Sequence, residues 1–505
     1  MARKVIIIGG GIGGLATANL LAKAGFTVSV YEKNKQLGGR AGLKRAKGFT
    51  FDTGPSWYLM PKVFQDYFRL FGRDAKKELS LKKLSPAYKV FFEHADPLTI
   101  TSDLKKDAQT FDAVEPGAGT ALKRYVREGN HIYQLALKHF LYTNFTKKSE
   151  LAKPSITRNL PQLSSLLLKP LHSRVRSFVN TKQLQQILEY PMVFLGSSPF
   201  SAPAMYSLMS ALDFKEGVYY PKNGIYSIIE LLVGIGKELG VSYHTNTNVT
   251  QIVTEGRQAT GIRLANGEHI AGDIIVSNAD LHHTEVSLLK PRQQTYPANY
   301  WKKKDPGISA LLLYVGYKGK LPQLKHHNLY FVDDWKQNFK AIYKDKIIPK
   351  SASLYICKPT ATDKSLAPKG HENLFILIPL PTKALTKRET KQLTKRTLRT
   401  IGNMINVQDF TNNIVYQETF TPTDFHATYN SWQGSALGMS HILRQSALWR
   451  PQNKSKKLKN LYYVGGNTVP GVGLPMCLIG AELVYKRIIG EKQGGHIRSI
   501  KRREV

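Results

Sequence analysis

The first forty residues constrain the fold of this 505-residue chain more than any other stretch. Val5, Ile6, Ile7 and Ile8 form a short unbroken apolar run, which reads as a strand buried on both faces. It leads into Gly9, Gly11 and Gly14, spaced G-x-G-x-x-G. Residues 15–23 carry the small side chains of Ala16, Ala18 and Ala22 in a helical stretch, and Gly25 stands where a helix C-cap belongs. A second strand over 27–31 ends at Glu32. In such a unit Gly9 permits a tight turn, Gly11 lets backbone approach a pyrophosphate, and Gly14 lets the helix pack closely on the strand. The helix N-terminus turns free N–H groups and the positive end of its dipole toward phosphates. Glu32, about 20 residues on, is in position to accept hydrogen bonds from a ribose. A glycine turn alone would be a weak signal. The preceding strand, the following helix and the distal acid make this one a dinucleotide site.

Six residues beyond Glu32 comes Gly38-Gly39-Arg40. The doublet and arginine resemble the extended fingerprint of glutathione-reductase-type FAD proteins, which implies that they continue around the pyrophosphate and favours FAD over NAD. A second glycine set, Gly234, Gly236 and Gly240, follows YSIIELLV. That run has helical rather than strand spacing, so the set reads as a helix with Gly240 at its C-cap. One flavin site and no built-in nicotinamide site are expected.

At this length two or three domains are expected. No run of about 18 apolar residues occurs, so no transmembrane helix is predicted. Arg3 and Lys4 before the apolar run imitate a signal peptide, but the run is needed as a strand, and a cytoplasmic location is expected. Cys357 and Cys477 are far apart and in no metal-like spacing, which argues against a disulfide framework or a zinc site; no metal is expected. The net charge of +36 calls for an anionic partner, either nucleic acid or a membrane surface. The chain lacks the aromatic–basic interleaving of RNA-binding sequences, so no nucleic acid is expected. The membrane reading rests on residues 151–179. There Leu160, Leu163, Leu166, Leu167, Leu168 and Leu171 are interleaved with Arg158, Lys169, Arg174 and Arg176, and broken by Pro154, Pro161 and Pro170. Residues 141–190 hold eight Lys/Arg against two Asp/Glu. An apolar face edged with basic residues suits an anionic interface on the inner face of the cell membrane.

Residues 88–93 and 98–101 read as a pair of short strands, and strand signals at 309–314, 329–332, 374–378 and 415–420 predict a second sheet. Helices are predicted over 115–142, 202–214, 225–239, 386–404 and 474–489, strands at 241–244, 249–255, 261–264, 268–270 and 273–277, and a buried strand at 461–464. The expected fold is α/β: a glutathione-reductase-type Rossmann FAD-binding domain with an inserted sheet-based substrate domain and a helical, membrane-facing region. The segments divide as 1–90 (FAD-binding, first part), 91–215 (helical and membrane-facing), 216–290 (FAD-binding, second part), 291–440 (substrate domain) and 441–505 (FAD-binding, last part, with a basic tail).

Three segments carry a closer resemblance: FDTGPSW at 51–57, GVYYPKNGIYSIIELL at 217–232, and residues 421–487, from TPTDFHATYNSWQGSALG to YYVGGNTVPGVGLPMCLIGAELVYKR. They resemble the bacterial carotenoid desaturases, of both the phytoene and the diapophytoene type, over essentially the whole chain. The resemblance implies an FAD-dependent oxidoreductase that introduces double bonds into a linear C40 or C30 polyene, an apolar substrate drawn from a membrane. It also implies that Gly54 lies beside the flavin and that the backbone of Val249 meets the adenine. The C-terminal motif makes chemical sense by itself. Gly466 and Asn467 end a buried strand with close backbone approach. Gly473, Pro475 and Met476 open a helix whose N-terminus can face the isoalloxazine and stabilise negative charge there.

Desaturation needs a hydride acceptor and a place for a proton, and the sequence does not by itself force a protein base. Asp424 and His426 are the candidates, against the commoner roles of an acid helix cap and a satisfied histidine. Trp57, Tyr219, Tyr220, Tyr429 and Trp432 are candidates to line an apolar tunnel, against plain core. A carotenoid oxygenase, ketolase or isomerase on the same fold stays open. So does a basic nucleic-acid-binding protein with a degenerate flavin fold.

Overall fold

A computed structural model describes residues 2–144 and 160–501, with side chains resumed from residue 164. Of the expected interfacial stretch, 151–159 with Pro154 and Arg158 lies outside the described residues, as does the end of the basic tail, 502–505. The side chains of Leu160, Pro161 and Leu163 do too.

Five parallel strands form the first sheet, in the order Leu461–Tyr463, Ile274–Ser277, Lys4–Ile8, Thr27–Tyr31 and Ser242–His244. The apolar run is explained by its two covered faces. Val5 and Ile7 pack on the helical side with Leu15, Leu20 and Leu478. Ile6 and Ile8 pack with Ile252 and Ile262, from the antiparallel strands Val249–Glu255, Gln258–Leu264 and His269–Ala271. Helices Ile12–Lys23, Tyr226–Glu238 and Leu474–Ile489 cover the first face. Gly234 and Gly236 fall inside the second of these helices, as their spacing predicted.

The second sheet has seven strands, in the order Ile414–Phe420, Ser309–Lys318, His371–Leu380, Leu354–Cys357, His327–Phe331, Tyr88–Phe92 and Leu98–Ile100. All pairings are antiparallel except that of His327–Phe331 with Tyr88–Phe92. Alternation along Ser309–Lys318 sends Leu311, Leu313 and Val315 toward Leu393, Leu398 and Ile401 of helix Lys387–Met404. Leu312 and Tyr314 face the main core. The helix begins with a capping box between Thr386 and Glu389. The strand Tyr88–Phe92 runs across the expected boundary at residue 90 into this sheet, because a parallel partner at His327–Phe331 completes its pairing.

A helical layer closes the molecule, with Leu104–Val114, Ala118–Ala136, Lys182–Glu189 and Ser207–Glu216. The first was not predicted, although Asp103 caps it by accepting from Lys105 and Lys106. The single helix expected over 115–142 is α-helical over Ala118–Ala136 and continues as a π-helical turn over Leu137–Leu141. Leu160–Leu168 is a helix, and it divides its leucines by environment. Leu166 is buried against Ile132 and Ala204, whereas Leu168 is 75% exposed.

Candidate functional site

The carboxyl ends of the parallel strands meet at one cavity of about 790 Å³. Gly9 adopts φ +96°, and its N–H donates to the Tyr31 carbonyl at 2.8 Å. A Cβ on Gly14 would come within 2.3 Å of the Gly9 carbonyl oxygen, so only glycine lets the helix start this close to the strand. Helix Ile12–Lys23 starts at Gly11 with no side-chain cap and no acid in its first turn. Its N–H groups are therefore left for an anion. A Cβ on Gly11 would lie 2.8 Å from Asn278 Nδ2.

Glu32 is 5% exposed. Its Oε2 accepts from Gly10 N–H at 2.8 Å and its Oε1 from the Asn34 backbone and side chain, each at 2.9 Å. These bonds fix the carboxylate where it borders the cavity. Gly38 folds back on the turn, its N–H donating to the Gly10 carbonyl at 2.8 Å. Arg40 Nη2 donates to Ser431 Oγ at 2.9 Å and to the Ser435 carbonyl at 3.3 Å. Its guanidinium lies over the Tyr429 ring, 5.5 Å from the centroid. Its Nε is buried without a hydrogen-bond partner, so a donor remains at the cavity wall. A glycine cradle, an uncapped helix end and a spare guanidinium donor are the donor set that a dinucleotide pyrophosphate requires.

A second helix end opens on the same cavity. Gly473 (φ +124°) precedes helix Leu474–Ile489, which has proline in its first turn and no acid there. Gly466, Gly473, Pro475 and Met476 line the cavity, with Gly9, Gly11, Glu32, Gly38, Gly39, Arg40, Gly54 and Val249. Gly14 and Asn467 stand behind the wall. Asn467 accepts from Met439 N–H at 2.9 Å and donates to Asp280 at 3.0 Å.

The two candidate bases are not at the cavity. Asp424 closes a capping box, its Oδ2 accepting from Thr421 N at 2.7 Å and Oγ1 at 2.6 Å. His426 is exposed on the same helix, with Nδ1 3.0 Å from the Ser431 carbonyl. Local helix capping, which needs only a Thr-x-x-Asp sequence, outcompetes the catalytic reading. Of the five aromatics, Trp57 and Tyr429 line the cavity, and Tyr219, Tyr220 and Trp432 do not. Tyr220 bonds Asp52 at 2.9 Å. Trp432 packs on Trp301 and His282. Trp57 stacks on His327 with centroids 4.2 Å apart, and His327 Nδ1 is hydrogen-bonded to Tyr355 at 2.7 Å. Cys357 is not isolated, since its thiol and a ring nitrogen of each of His326 and His327 lie within 4.8 Å of one another.

From the glycine-turn end an apolar arm runs into the helical layer, past Tyr133, Phe194, Leu195 and Met209. It reaches Leu167, Leu448 and Trp449, the last two 42% and 57% exposed. Sequence reasoning missed three elements here. Asn278, Asp280 and His283 follow the strand Ile274–Ser277, and the carboxyl-edge rule for parallel sheets would have flagged them. His441 lines the arm. Arg450, 1% exposed, donates from Nε to the Thr468 carbonyl and from Nη1 to that of Gln445. Its Nη2 donates to the carbonyls of Met439 and Gly466. Burial pulls this guanidinium down to about 10, still charged at neutral pH. No local pattern announces an arginine that gathers four carbonyls lying 5 to 18 residues away on both sides of it.

Residues 12–484 match the family described as flavin containing amine oxidoreductase. The chain is 39% identical over 486 residues to the carotenoid 3,4-desaturase of Haloarcula japonica, covering 96% of this chain and 98% of that protein. It is 33% identical to the zeta-carotene-forming phytoene desaturase of Myxococcus xanthus, covering 96% and 94%. With the 4,4'-diapophytoene desaturase of Staphylococcus aureus the identity is 30%, covering 97% and 100%. Among solved structures, an oxidoreductase from Methanosarcina mazei superposes with a TM-score of 0.61 at 16% identity, covering 96% of this chain and all of that one. A putrescine oxidase superposes with the same score at 13% identity, covering 97% and 99%. At these identities the solved structures speak for the fold alone.

Proposed function

The chain belongs to the carotenoid desaturases of the flavin containing amine oxidoreductase family and is an FAD-dependent oxidoreductase, and from that premise we propose that it lengthens the conjugation of a linear C40 or C30 polyene, of the phytoene or diapophytoene kind, without adding oxygen. The observation that carries this reading is one cavity with two characters: a polar end built on the glycine turn and an apolar arm leading from it to the surface. Bound at the polar end, FAD supplies a hydride acceptor. Gly9, Gly11 and Gly14 shape the turn that admits the pyrophosphate, and Gly38, Gly39 and Arg40 extend it. Glu32 holds the ribose and Val249 the adenine. Gly54, Gly466, Gly473, Pro475 and Met476 surround the isoalloxazine end, backed by Asn467. There the N-terminus of Leu474–Ile489 favours negative charge. The apolar arm orients the chain-like substrate and excludes water.

An apolar polyene resides in a bilayer, and among the described residues no helix is long and apolar enough to cross one. The exposed rim of the arm supports docking on an anionic leaflet from the cytoplasmic side. Leu448 and Trp449 are exposed apolar groups on it, Leu168 is exposed next to the lining Leu167, and Lys169 and Arg444 are exposed near them in sequence. Each basic residue near such a surface contributes about 1 kcal/mol. Replacing Leu168, Leu448 and Trp449 with Ser should abolish salt-sensitive binding to anionic vesicles while FAD stays bound. Unchanged binding would move the docking surface elsewhere. The reaction itself is tested by mass spectrometry of pigment from cells that supply phytoene or diapophytoene. Loss of two hydrogens per step is expected, and gain of oxygen would reassign the protein to the oxygenases.

A further inference from the structure

Forming a double bond from a saturated one removes a hydride from one carbon and a proton from its neighbour. Bound FAD would supply the hydride acceptor, and the proton needs a lone pair in the apolar arm. Most ionisable groups on the cavity wall are unsuited. Glu32, Lys33 and Arg40 belong to the dinucleotide end, and Asp280 and His283 follow the strand beside it. The phenols of Tyr133, Tyr206 and Tyr355 are pushed up by burial, so they stay protonated, and the Cys477 thiol is pushed up to about 12.

His441 differs. It is 4% exposed and lines the arm. Its backbone N–H donates to Ser197 Oγ at 2.7 Å. Its Nδ1 lies 3.0 Å from the Leu195 carbonyl, an acceptor only. That bond requires the proton on Nδ1 and leaves Nε2 as a lone pair. Nε2 points at Gly471, where a Cβ would lie only 2.4 Å away. Gly471 has φ +143° and opens the glycine loop that leads into helix Leu474–Ile489. The ring stands edge-on to Tyr206, centroids 5.8 Å apart. Thus the lone pair lies where the helical arm meets the glycine loop. Burial and the Arg450 charge hold the ring well below the usual histidine range, so it stays neutral.

Resting on the desaturase reading, we infer that His441 Nε2 is the catalytic proton acceptor. The hydride leaves one carbon with its bonding pair for FAD. The adjacent C–H bond breaks, its electron pair becomes the new π bond, and its proton adds to Nε2. A weak base suffices, because a C–H bond next to an allylic cation is strongly acidic.

The test pairs a variant with a chemical probe. In His441→Asn the amide overlies the Nδ1 position, so the bond to Leu195 is kept and Nε2 is deleted. In parallel with the wild-type holoenzyme, whose product verifies the desaturase reading, the variant should keep its FAD content and KM and lose roughly 100-fold or more in kcat. His441→Gln, which puts an amide at the Nε2 position, should lose as much and serves if the first variant fails to fold. Independently of activity, diethyl pyrocarbonate should acylate Nε2, read by the mass of the His441 peptide, and a polyene filling the arm should protect it. A folded variant with kcat within threefold of wild type overturns the assignment. So does a His441 that resists the reagent, or one acylated equally with and without polyene.

Discussion

Replacing Arg450 with methionine keeps the length of the side chain and removes every donor. Four carbonyls, of Met439, Gln445, Gly466 and Thr468, lose a charged partner in a buried site. An acceptor left unsatisfied away from water costs about 1–3 kcal/mol, so four cost about 4 kcal/mol at the low end. Relief from burying a cation that no carboxylate among the described residues contacts offsets part of this. The expected net loss is about 2–4 kcal/mol. It falls on a particular place, because Met439 is tied to Asn467 and Gly466 lines the cavity. Flavin release should therefore precede unfolding of the second sheet. Flavin fluorescence during urea titration reads the release, and tryptophan fluorescence reads the remainder. Arg450→Met should release flavin at clearly lower urea than wild type, with Arg450→Lys between them. If Arg450→Met kept flavin to the wild-type midpoint, Arg450 would not be the clamp on this loop.

Gly11→Val should yield a folded protein with FAD content reduced at least tenfold after gel filtration, because the added carbons meet Asn278 and occupy the backbone approach; full flavin occupancy would displace the pyrophosphate from this turn. Asp213 is buried, accepts from Tyr88 and Tyr190 at 2.8 Å each, and is pushed up to about 7 by desolvation. Its folded pKa lies above its unfolded one, so the folded state binds the extra proton, and its contribution to stability falls as pH rises from about 4 to 7. Asp213→Asn should flatten that part of the denaturation-midpoint profile; an unchanged slope would assign it to other groups. Glu32→Ala should weaken FAD binding and loosen the turn that Gly10 and Asn34 share through it, seen as faster amide exchange at Gly10; equal exchange would refute the dual role.

The parts legible in the sequence are those whose physics is local. A glycine fingerprint needs its three positions within six residues, and the strand before it and helix after it follow from short-range patterning. The same holds for helix Leu474–Ile489 after Gly473, and for Gly234 and Gly236 as helical residues. The apolar run at 309–314 announced a strand there, which the structure extends to Ser309–Lys318. Leu354–Cys357 was missed, since four residues carry too little period and its strand character comes from partners on both sides. The candidate bases failed for the opposite reason. Asp424 was visible because its motif is local, and that motif is a cap. His441 meets its Leu195 partner across 246 residues, and Arg450 gathers carbonyls from three turns of chain. By itself, the sequence determined the glycine turn and the helix ends that face the cavity, because backbone conformation and helix termini are set within a few residues. Only the tertiary structure decided which polar groups reach the apolar arm and which leucine of 166–168 faces solvent, because those choices depend on what packs across the fold, and no neighbouring residue encodes it.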